Sequence, residues 1–158
     1  MFVLVEVGEL APDFLAEDSF GRNVRLSDFF GKNVVLYFYP KDGTPSCTIE
    51  ACNFRDDFGA YKKEGIEILG VSIDGHESHQ KFSKKFNLPF TLISDVGAVV
   101  SKKFGAFGEK NFYGKKSLGV FRKTFLIGKD GKILYIFGKV DVNSHSREIL
   151  EIFKKASK

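Results

Sequence analysis

Residues 37–54 read YFYPKDGTPSCTIEACNF, and this stretch decides how the chain folds. It opens as the end of an apolar run that predicts a buried strand over residues 33–39. Pro40 ends the strand because proline has no amide proton for the sheet, and the Lys-Asp-Gly after it is typical of a turn. Thr44 then offers an N-cap, and a proline follows at the first helical position. The pattern therefore places Cys47 in the first turn of a helix.

The predicted position of Cys47 favours a reactive sulfur. A helix N-terminus presents unpaired amide protons and about half a positive charge, and both favour an anion. The thiolate, rather than the thiol, is the nucleophilic form of cysteine. Because a helix terminus supplies only part of the charge needed, we expect a cation from elsewhere in the chain beside the sulfur.

The second cysteine, Cys52, faces away from the first. The helix is predicted to cover residues 45–63. A 4-3-4-3 spacing puts five residues on the face that packs on the sheet, namely Cys47, Ala51, Phe54, Phe58 and Tyr61. At about 100° per residue, Cys52 points about 140° away from Cys47. The two Cα atoms of an intact helix would lie about 8.6 Å apart, whereas a disulfide needs less than about 7 Å. Either these cysteines never pair, or the first turns of the helix must unwind.

Other roles for two cysteines compete with a reactive one. Free cysteines are often small buried apolar residues. The helix geometry and the absence of a secretory signal in the first residues disfavour a structural disulfide. A metal site needs more ligands than two cysteines supply. His76 and His79 are weak evidence for a metal, so we interpret them as exposed helix residues and expect no metal or cofactor.

Strands alternate with helices along the rest of the chain. Further strands are predicted over residues 1–7, 66–73, 90–93, 120–127 and 132–138, and helices over 77–86, 96–104 and 144–155. A turn between two short strands is predicted at 19–23, a helical turn at 27–30, and a loop at 105–119. This order predicts an α/β fold with a central mixed sheet flanked by helices, because βαβ crossovers are parallel and the terminal hairpin is antiparallel. A cysteine at the helix start after a central strand matches thioredoxin-like proteins.

Length and charge exclude several classes of protein. The 158 residues suit one domain. The chain contains no apolar stretch long enough for a membrane span, and its first residues, MFVLVEV, lack the features of a signal peptide. We therefore expect a soluble, cytoplasmic protein with reduced thiols. The net charge of +4 is modest and its lysines are spread out, so nucleic-acid binding is disfavoured.

The sequence resembles a known family, the peroxiredoxins of the Q subfamily, also called the bacterioferritin comigratory protein type. The signature is Pro40-x-x-x-Thr44-x-x-Cys47, followed by Cys52 in CTIEAC. Further matching segments are APDF at 11–14, FRD at 54–56 and RKTFLI at 122–127. The resemblance covers nearly the whole chain, and it implies one thioredoxin-like peroxiredoxin domain over residues 1–158.

The resemblance also implies a role for each signature residue. Cys47 would be the peroxidatic thiolate that attacks a hydroperoxide, and Thr44 would hold the thiolate and the peroxide. Pro40 would shield the pocket from water. Arg122 would be the expected cation, and Cys52 would be the resolving thiol. A thioredoxin-like protein would reduce the resulting intramolecular disulfide, and the protein would act as a monomer or at most a weak dimer.

Some residues depart from the family or allow a simpler interpretation. Ser46 stands where many relatives have glycine, and Lys123 where a small residue is common, but neither change removes a reactive group. Glu50 is interpreted as a carboxylate that favours the helix dipole, with organisation of Arg122 as the alternative. Taken alone, Thr44 would be only a helix cap and Arg122 only a surface charge.

Three classes of function remain for comparison. The leading hypothesis is a thiol peroxidase that reduces hydrogen peroxide and organic hydroperoxides. A thioredoxin-like disulfide oxidoreductase is disfavoured because the chain lacks a Cys-x-x-Cys motif. A non-catalytic basic binding module or chaperone is the third class, and salt-sensitive nucleic-acid binding without turnover would support it.

Overall fold

The computed structural model describes residues 5–156, which form a seven-stranded mixed sheet with helices packed on both faces. The strands are β1 (Leu15–Asp18), β2 (Asn23–Arg25), β3 (Asn33–Phe38), β4 (Ile66–Ser72), β5 (Thr91–Ser94), β6 (Phe107–Phe112), β7 (Lys115–Val120), β8 (Lys123–Ile127) and β9 (Ile133–Phe137). The helices are α1 (Pro45–Asp56), α2 (Phe58–Lys63), α3 (His76–Phe86), α4 (Val99–Lys103) and α5 (His145–Ala156). The strand predicted over residues 1–7 falls mainly on residues outside the described range. None of the helices formed by residues 5–156 has the length and apolar character to cross a membrane.

The sheet confirms the predicted mixed α/β fold. Its strand order is β2-β1-β5-β4-β3-β8-β9. The β3–β4 and β4–β5 pairs are parallel, as expected for βαβ crossovers, and the β8–β9 hairpin is antiparallel. Strand β3 lies between β4 and β8, so the motif that follows β3 begins in the interior of the sheet.

Strand β3 is covered on both faces, which explains its unbroken apolar sequence. Val35 and Tyr37 point into the core that α1, α2, α3 and α5 cover, whereas Leu36 and Phe38 point into the core on the opposite face. Helix α1 packs on the Tyr37 side of the sheet, where the Tyr37 and Phe54 ring centroids are 4.8 Å apart. The carboxyl end of β3 and the start of α1 are therefore held by the same core.

The helix predicted over residues 45–63 is broken in two. Asp57 has φ −94° and ψ 5°, and it separates α1 from α2. Its carbonyl accepts the amides of Ala60 and Tyr61, so it begins a new turn. The side chains predicted to face the sheet still do so in both helices, since Phe54 and Tyr61 are buried and Phe58 packs against the same core.

The prediction of a loop over residues 105–119 is wrong, because β6 and β7 form an antiparallel hairpin there. Tyr113 and Gly114 connect the two strands and both have positive φ, 52° and 79°. Two such residues form the tight hairpin turn that matches the twist of the strands. The sequence hid this hairpin because lysines and glycines interrupt any apolar alternation along its strands.

Two predicted elements are shorter in the structure. The helix predicted over residues 96–104 reduces to α4, because the Asp95 carboxylate accepts the amides of Val100 and Ser101 and delays the helix start. The strand predicted over 120–127 is divided between β7 and β8. Phe121 and Arg122 form the connection between them.

A substitution at Gly70 tests the close packing of the central strand β4. A Cβ added to this residue of β4 would lie 2.9 Å from the Tyr37 ring and 2.9 Å from Leu92 Cδ2. We expect Gly70→Ala to lower the free energy of unfolding by about 1–3 kcal/mol, because overpacking shifts both side chains. Urea unfolding followed by far-UV circular dichroism measures the change.

Gly59→Ala is the matched control for Gly70→Ala. Gly59 lies in α2, and its added Cβ meets no described atom within 4 Å. Alanine is the better helix former, so this variant should be up to about 1 kcal/mol more stable than wild type. Equal stability of the two variants would contradict the close packing of β4 against Tyr37.

Candidate active site

Cys47 lies in the first turn of α1, three residues after the N-cap Thr44, where the sequence predicts it. The first helical hydrogen bond runs from the Thr48 amide to the Thr44 carbonyl over 2.9 Å, so the amides ahead of Thr48 have no partner within the helix. Cys47 is only 1% exposed and packs in the core beneath α1. The helix start therefore presents its positive end to a sulfur that is shielded from water.

Arg122 supplies a cation beside this sulfur. Its Nη2 donates a hydrogen bond to Cys47 Sγ over 3.2 Å, and its Nη1 donates to Glu50 Oε1 over 2.6 Å. The backbone of the β7–β8 connection is held in place because the Phe121 amide donates to the Ala106 carbonyl over 2.7 Å. One planar guanidinium thus joins two residues of α1 to the edge of the hairpin.

Glu50 is buried, and its interpretation as a carboxylate near the helix dipole is wrong. It is 1% exposed and forms an ion pair with Arg122, which was the alternative interpretation. Burial raises the pKa of Glu50 to about 7, although the charge and the hydrogen bond of Arg122 act in the opposite direction. Glu50 Oε2 has no hydrogen-bond partner among residues 5–156. The spacing of three residues from Cys47 was the signal in the sequence, since it puts both on one helix face.

The remaining predicted site residues lie around this pair. Thr44 is half-buried at the helix start, and its hydroxyl donates to the Lys41 carbonyl over 2.9 Å. Pro40 is half-buried two residues after the end of β3. Cys52 is also half-buried, and both cysteines are free. The structure thus brings Arg122 to Cys47 and leaves Cys52 as a separate thiol on the same helix.

Lys110 is a charged neighbour of the site that the sequence did not reveal. It lies on β6, and its Nζ is 6.0 Å from the centroid of the Phe121 ring. Burial and the charge of Arg122 lower the pKa of Lys110, and the charge of Cys47 opposes them. Its place near the sulfur depends on the pairing of β6 with β7, which no local pattern announced.

This fold and this arrangement define a class, the thioredoxin-like oxidoreductases that use a cysteine at a helix start. A family model described as the AhpC/TSA family matches residues 7–136. The chain therefore belongs to the AhpC/TSA family and, within it, to the peroxiredoxins of the Q or bacterioferritin comigratory protein type.

Relatives named as peroxiredoxins are similar to almost the whole chain. Peroxiredoxin Bcp of Bacillus subtilis strain 168 is 43% identical over 153 residues, which cover 97% of this chain and 98% of the relative. Peroxiredoxin Bcp of Escherichia coli strain K12 is 42% identical over 151 residues, with 96% and 97% covered. A solved structure of the Xanthomonas campestris bacterioferritin comigratory protein matches with a TM-score of 0.89, 36% identity and 99% of each chain covered. These relatives support a peroxidase and oxidoreductase activity for the family member described here.

The raised pKa of Glu50 leads to a pH dependence of stability. Between about pH 4.5 and pH 7 the folded protein holds a proton on Glu50 that the unfolded chain has lost. The stability contributed by Glu50 must therefore fall as the pH rises through this range, by roughly 3 kcal/mol in total. Glutamine mimics the protonated carboxyl and cannot titrate.

The test compares Cys47→Ser with Cys47→Ser/Glu50→Gln, so that the thiol does not titrate in either protein. Their free energies of unfolding are measured in urea from pH 4.5 to pH 8.5. Titration of other buried groups is common to both and cancels, including that of His145, whose pKa burial lowers to about 4. The double variant should gain stability relative to the single variant as the pH rises. A difference that stays constant would show that Glu50 is ionised throughout.

Proposed function

We propose that this protein is a thiol-dependent peroxidase that reduces hydrogen peroxide and organic hydroperoxides through Cys47. The observation that carries the proposal is the 3.2 Å contact of Arg122 Nη2 with Cys47 Sγ at the start of α1. A guanidinium and a helix N-terminus both stabilise negative charge on sulfur, and the thiolate is the nucleophile. The Xanthomonas campestris relative is described as having alkyl peroxide reduction activity, which supports the same substrate class here.

In the first step the Cys47 thiolate attacks one oxygen of the peroxide. The S–O bond forms as the O–O bond breaks, so the sulfur is oxidised to sulfenic acid and the alcohol or water leaves after taking a proton. Arg122 is placed to stabilise the charge that moves along the O–O bond. We assign Thr44 to hold the thiolate and the peroxide, and Pro40 to shield the pocket from water.

In the second step Cys52 resolves the oxidised residue. Its thiol attacks the Cys47 sulfenic acid, a disulfide forms and water leaves. Both thiols are free in the described structure and lie on one helix, so pairing requires the first turns of α1 to open. A dithiol protein of the thioredoxin type would then reduce the disulfide by exchange and become oxidised itself.

The cellular setting follows from this chemistry. A cycle that starts from two free thiols needs a reducing compartment, so we propose the cytoplasm. Since both cysteines belong to one chain, a monomer can complete the cycle. The seven-stranded sheet, whose strands come from residues 15–137, supports the proposal that the chain works as one domain.

The two cysteines give the direct test of the proposal. Cys47→Ser should show no peroxide consumption in an assay coupled to thioredoxin and its reductase, with an unchanged circular dichroism spectrum. Cys52→Ser should react once with peroxide and then stop as a sulfenic acid or a higher oxide, unless an external thiol is added. Full coupled turnover by Cys52→Ser would remove its resolving role, and turnover by Cys47→Ser would overturn the proposal. Reduction of insulin without peroxide turnover would favour a disulfide oxidoreductase instead.

Arg122 has its own test. Lysine keeps the charge but loses the planar fork that contacts Cys47 and Glu50 together. We expect Arg122→Lys to slow the oxidation of Cys47 by at least about tenfold, which corresponds to roughly 1.4 kcal/mol of transition-state stabilisation. The rate is measured by rapid quenching and mass spectrometry, because the chain has no tryptophan to report the reaction. Arg147→Lys on the exposed side of α5 is the matched control. A wild-type rate in Arg122→Lys would place the guanidinium outside the reaction.

A further inference from the structure

Four hydrogen bonds hold Asp42, which lies in the loop between β3 and α1. Its Oδ1 accepts the Tyr39 hydroxyl over 2.6 Å, and its Oδ2 accepts the Ser78 hydroxyl over 2.9 Å and His79 Nδ1 over 2.7 Å. Its own amide donates to Asp74 Oδ2 over 2.8 Å. The Asp42 side chain is only 5% exposed. The carboxylate of Asp42 thus connects the residue after β3 to the first turn of α3, and its amide connects the loop to Asp74, which follows β4.

His79 is the buried partner of this carboxylate, and the interpretation of His79 as an exposed helix residue is wrong. The residue is fully buried. Its Nε2 lies 3.0 Å from the Ile93 carbonyl, which can only accept, and its Nδ1 faces the Asp42 carboxylate. The imidazole is thus held between the Ile93 carbonyl of β5 and the Asp42 carboxylate.

A metal site is the competing explanation of the same residues. One ligand atom each from Asp42, Asp74 and His79 lie within 4.8 Å of one another. A metal needs a lone pair on an imidazole nitrogen, but Nε2 faces the Ile93 carbonyl and Nδ1 lies in direct hydrogen-bond contact with Asp42 Oδ2 over 2.7 Å. Asp74 Oδ2 is likewise engaged by the Asp42 amide and the Ser72 hydroxyl. The cluster is therefore a hydrogen-bonded pair of Asp42 and His79 with Asp74 beside it, and these contacts argue against a bound metal ion.

The position of the pair connects it to the cysteine. Asp42 precedes the N-cap Thr44 by two residues and Cys47 by five. The Thr44 hydroxyl binds the Lys41 carbonyl, so Thr44 takes its position from the loop that Asp42 anchors. Further along α1, Phe54 packs into the core. The segment between Asp42 and Phe54 is thus fixed at both ends by buried contacts.

We propose that Asp42 and His79 are positioning residues for the peroxidase reaction, holding the loop so that Thr44 and the start of α1 stand in place around the Cys47 sulfur. This inference rests on the proposed function and goes beyond it, since neither residue touches Cys47. Reaction rates depend on placement, and a shift of about 1 Å can slow a reaction about a hundredfold. Disulfide formation does not depend on this placement, because the start of α1 must open before the two sulfurs can meet. The pair should therefore speed the oxidation of Cys47 and leave the following step largely unaffected.

The experiment measures the two steps separately in the full chain. Reduced protein is mixed with hydrogen peroxide, quenched with acid and an alkylating reagent, and the sulfenic acid and disulfide forms are counted by mass spectrometry. Asp42→Ala removes the carboxylate, whereas Asp42→Asn keeps an acceptor for Tyr39 and can donate to Ser78 and to neutral His79. His76→Asn on the same helix is the control, because His76 is half-exposed and contacts only Glu17 among the ion pairs of residues 5–156.

The expected result is a split between the steps. Asp42→Ala should slow sulfenic acid formation by about tenfold or more, with disulfide formation within about twofold of wild type. Asp42→Asn should recover most of the lost rate, and His76→Asn should match wild type. If Asp42→Ala does not fold, Ser78→Ala takes its place, and the loss of one hydrogen bond should slow oxidation about fivefold.

Other results overturn the inference. Oxidation of the folded Asp42 variant at the wild-type rate would show that the loop does not need the pair. Slowing of both steps by one factor, or equal slowing in His76→Asn, would indicate a general loss of stability. Wild-type protein that forms neither sulfenic acid nor disulfide in the same series would refute the proposed function itself, and the inference with it.

Discussion

The arrangement around Cys47 depends on the two hydrogen bonds that the Arg122 guanidinium donates. A single guanidinium holds the sulfur with one nitrogen and the Glu50 carboxylate with another, and both partners lie on the buried face of α1. Burying such an ion pair is rarely favourable for stability, because desolvation offsets much of the attraction. The raised pKa of Glu50 is the sign of that cost. In the proposed reaction, its value to the protein lies in orienting the guanidinium toward the sulfur.

The proposed cycle places two opposite requirements on helix α1. In the reduced protein α1 is intact and keeps Cys47 buried on the sheet side, whereas Cys52 is half-exposed. A disulfide between them demands that the first turns open. Phe54 and Tyr61 anchor the later part of the region in the core through an edge-to-face contact with centroids 5.8 Å apart. End turns open at less than the free energy of global unfolding, so the opening can stay local while the sheet remains folded.

The sequence predicted the parts of the site that are contiguous in the chain. The β3-turn-α1 stretch follows from one proline, one N-cap and an apolar run, and helical spacing put Cys47 on the inward face. Arg122 was expected beside the sulfur through the family resemblance, but its place in a connection between two strands was not predicted. That place depends on the β6–β7 hairpin, whose lysine-rich and glycine-rich strands carry no apolar alternation. His79 was misjudged for a similar reason, since its carboxylate partner lies 37 positions away in the sequence and only the fold brings them together.

In the proposed cycle, oxidation joins Cys47 to Cys52 by opening only the start of α1. The most direct measurement treats the reduced protein with one equivalent of hydrogen peroxide, maps the product by mass spectrometry and follows amide hydrogen exchange before and after. We expect a Cys47–Cys52 disulfide, faster exchange over residues 44–54 and unchanged exchange in the strands of the sheet. Two unpaired cysteines with α1 as protected as before, or a disulfide accompanied by loss of protection throughout the sheet, would contradict it.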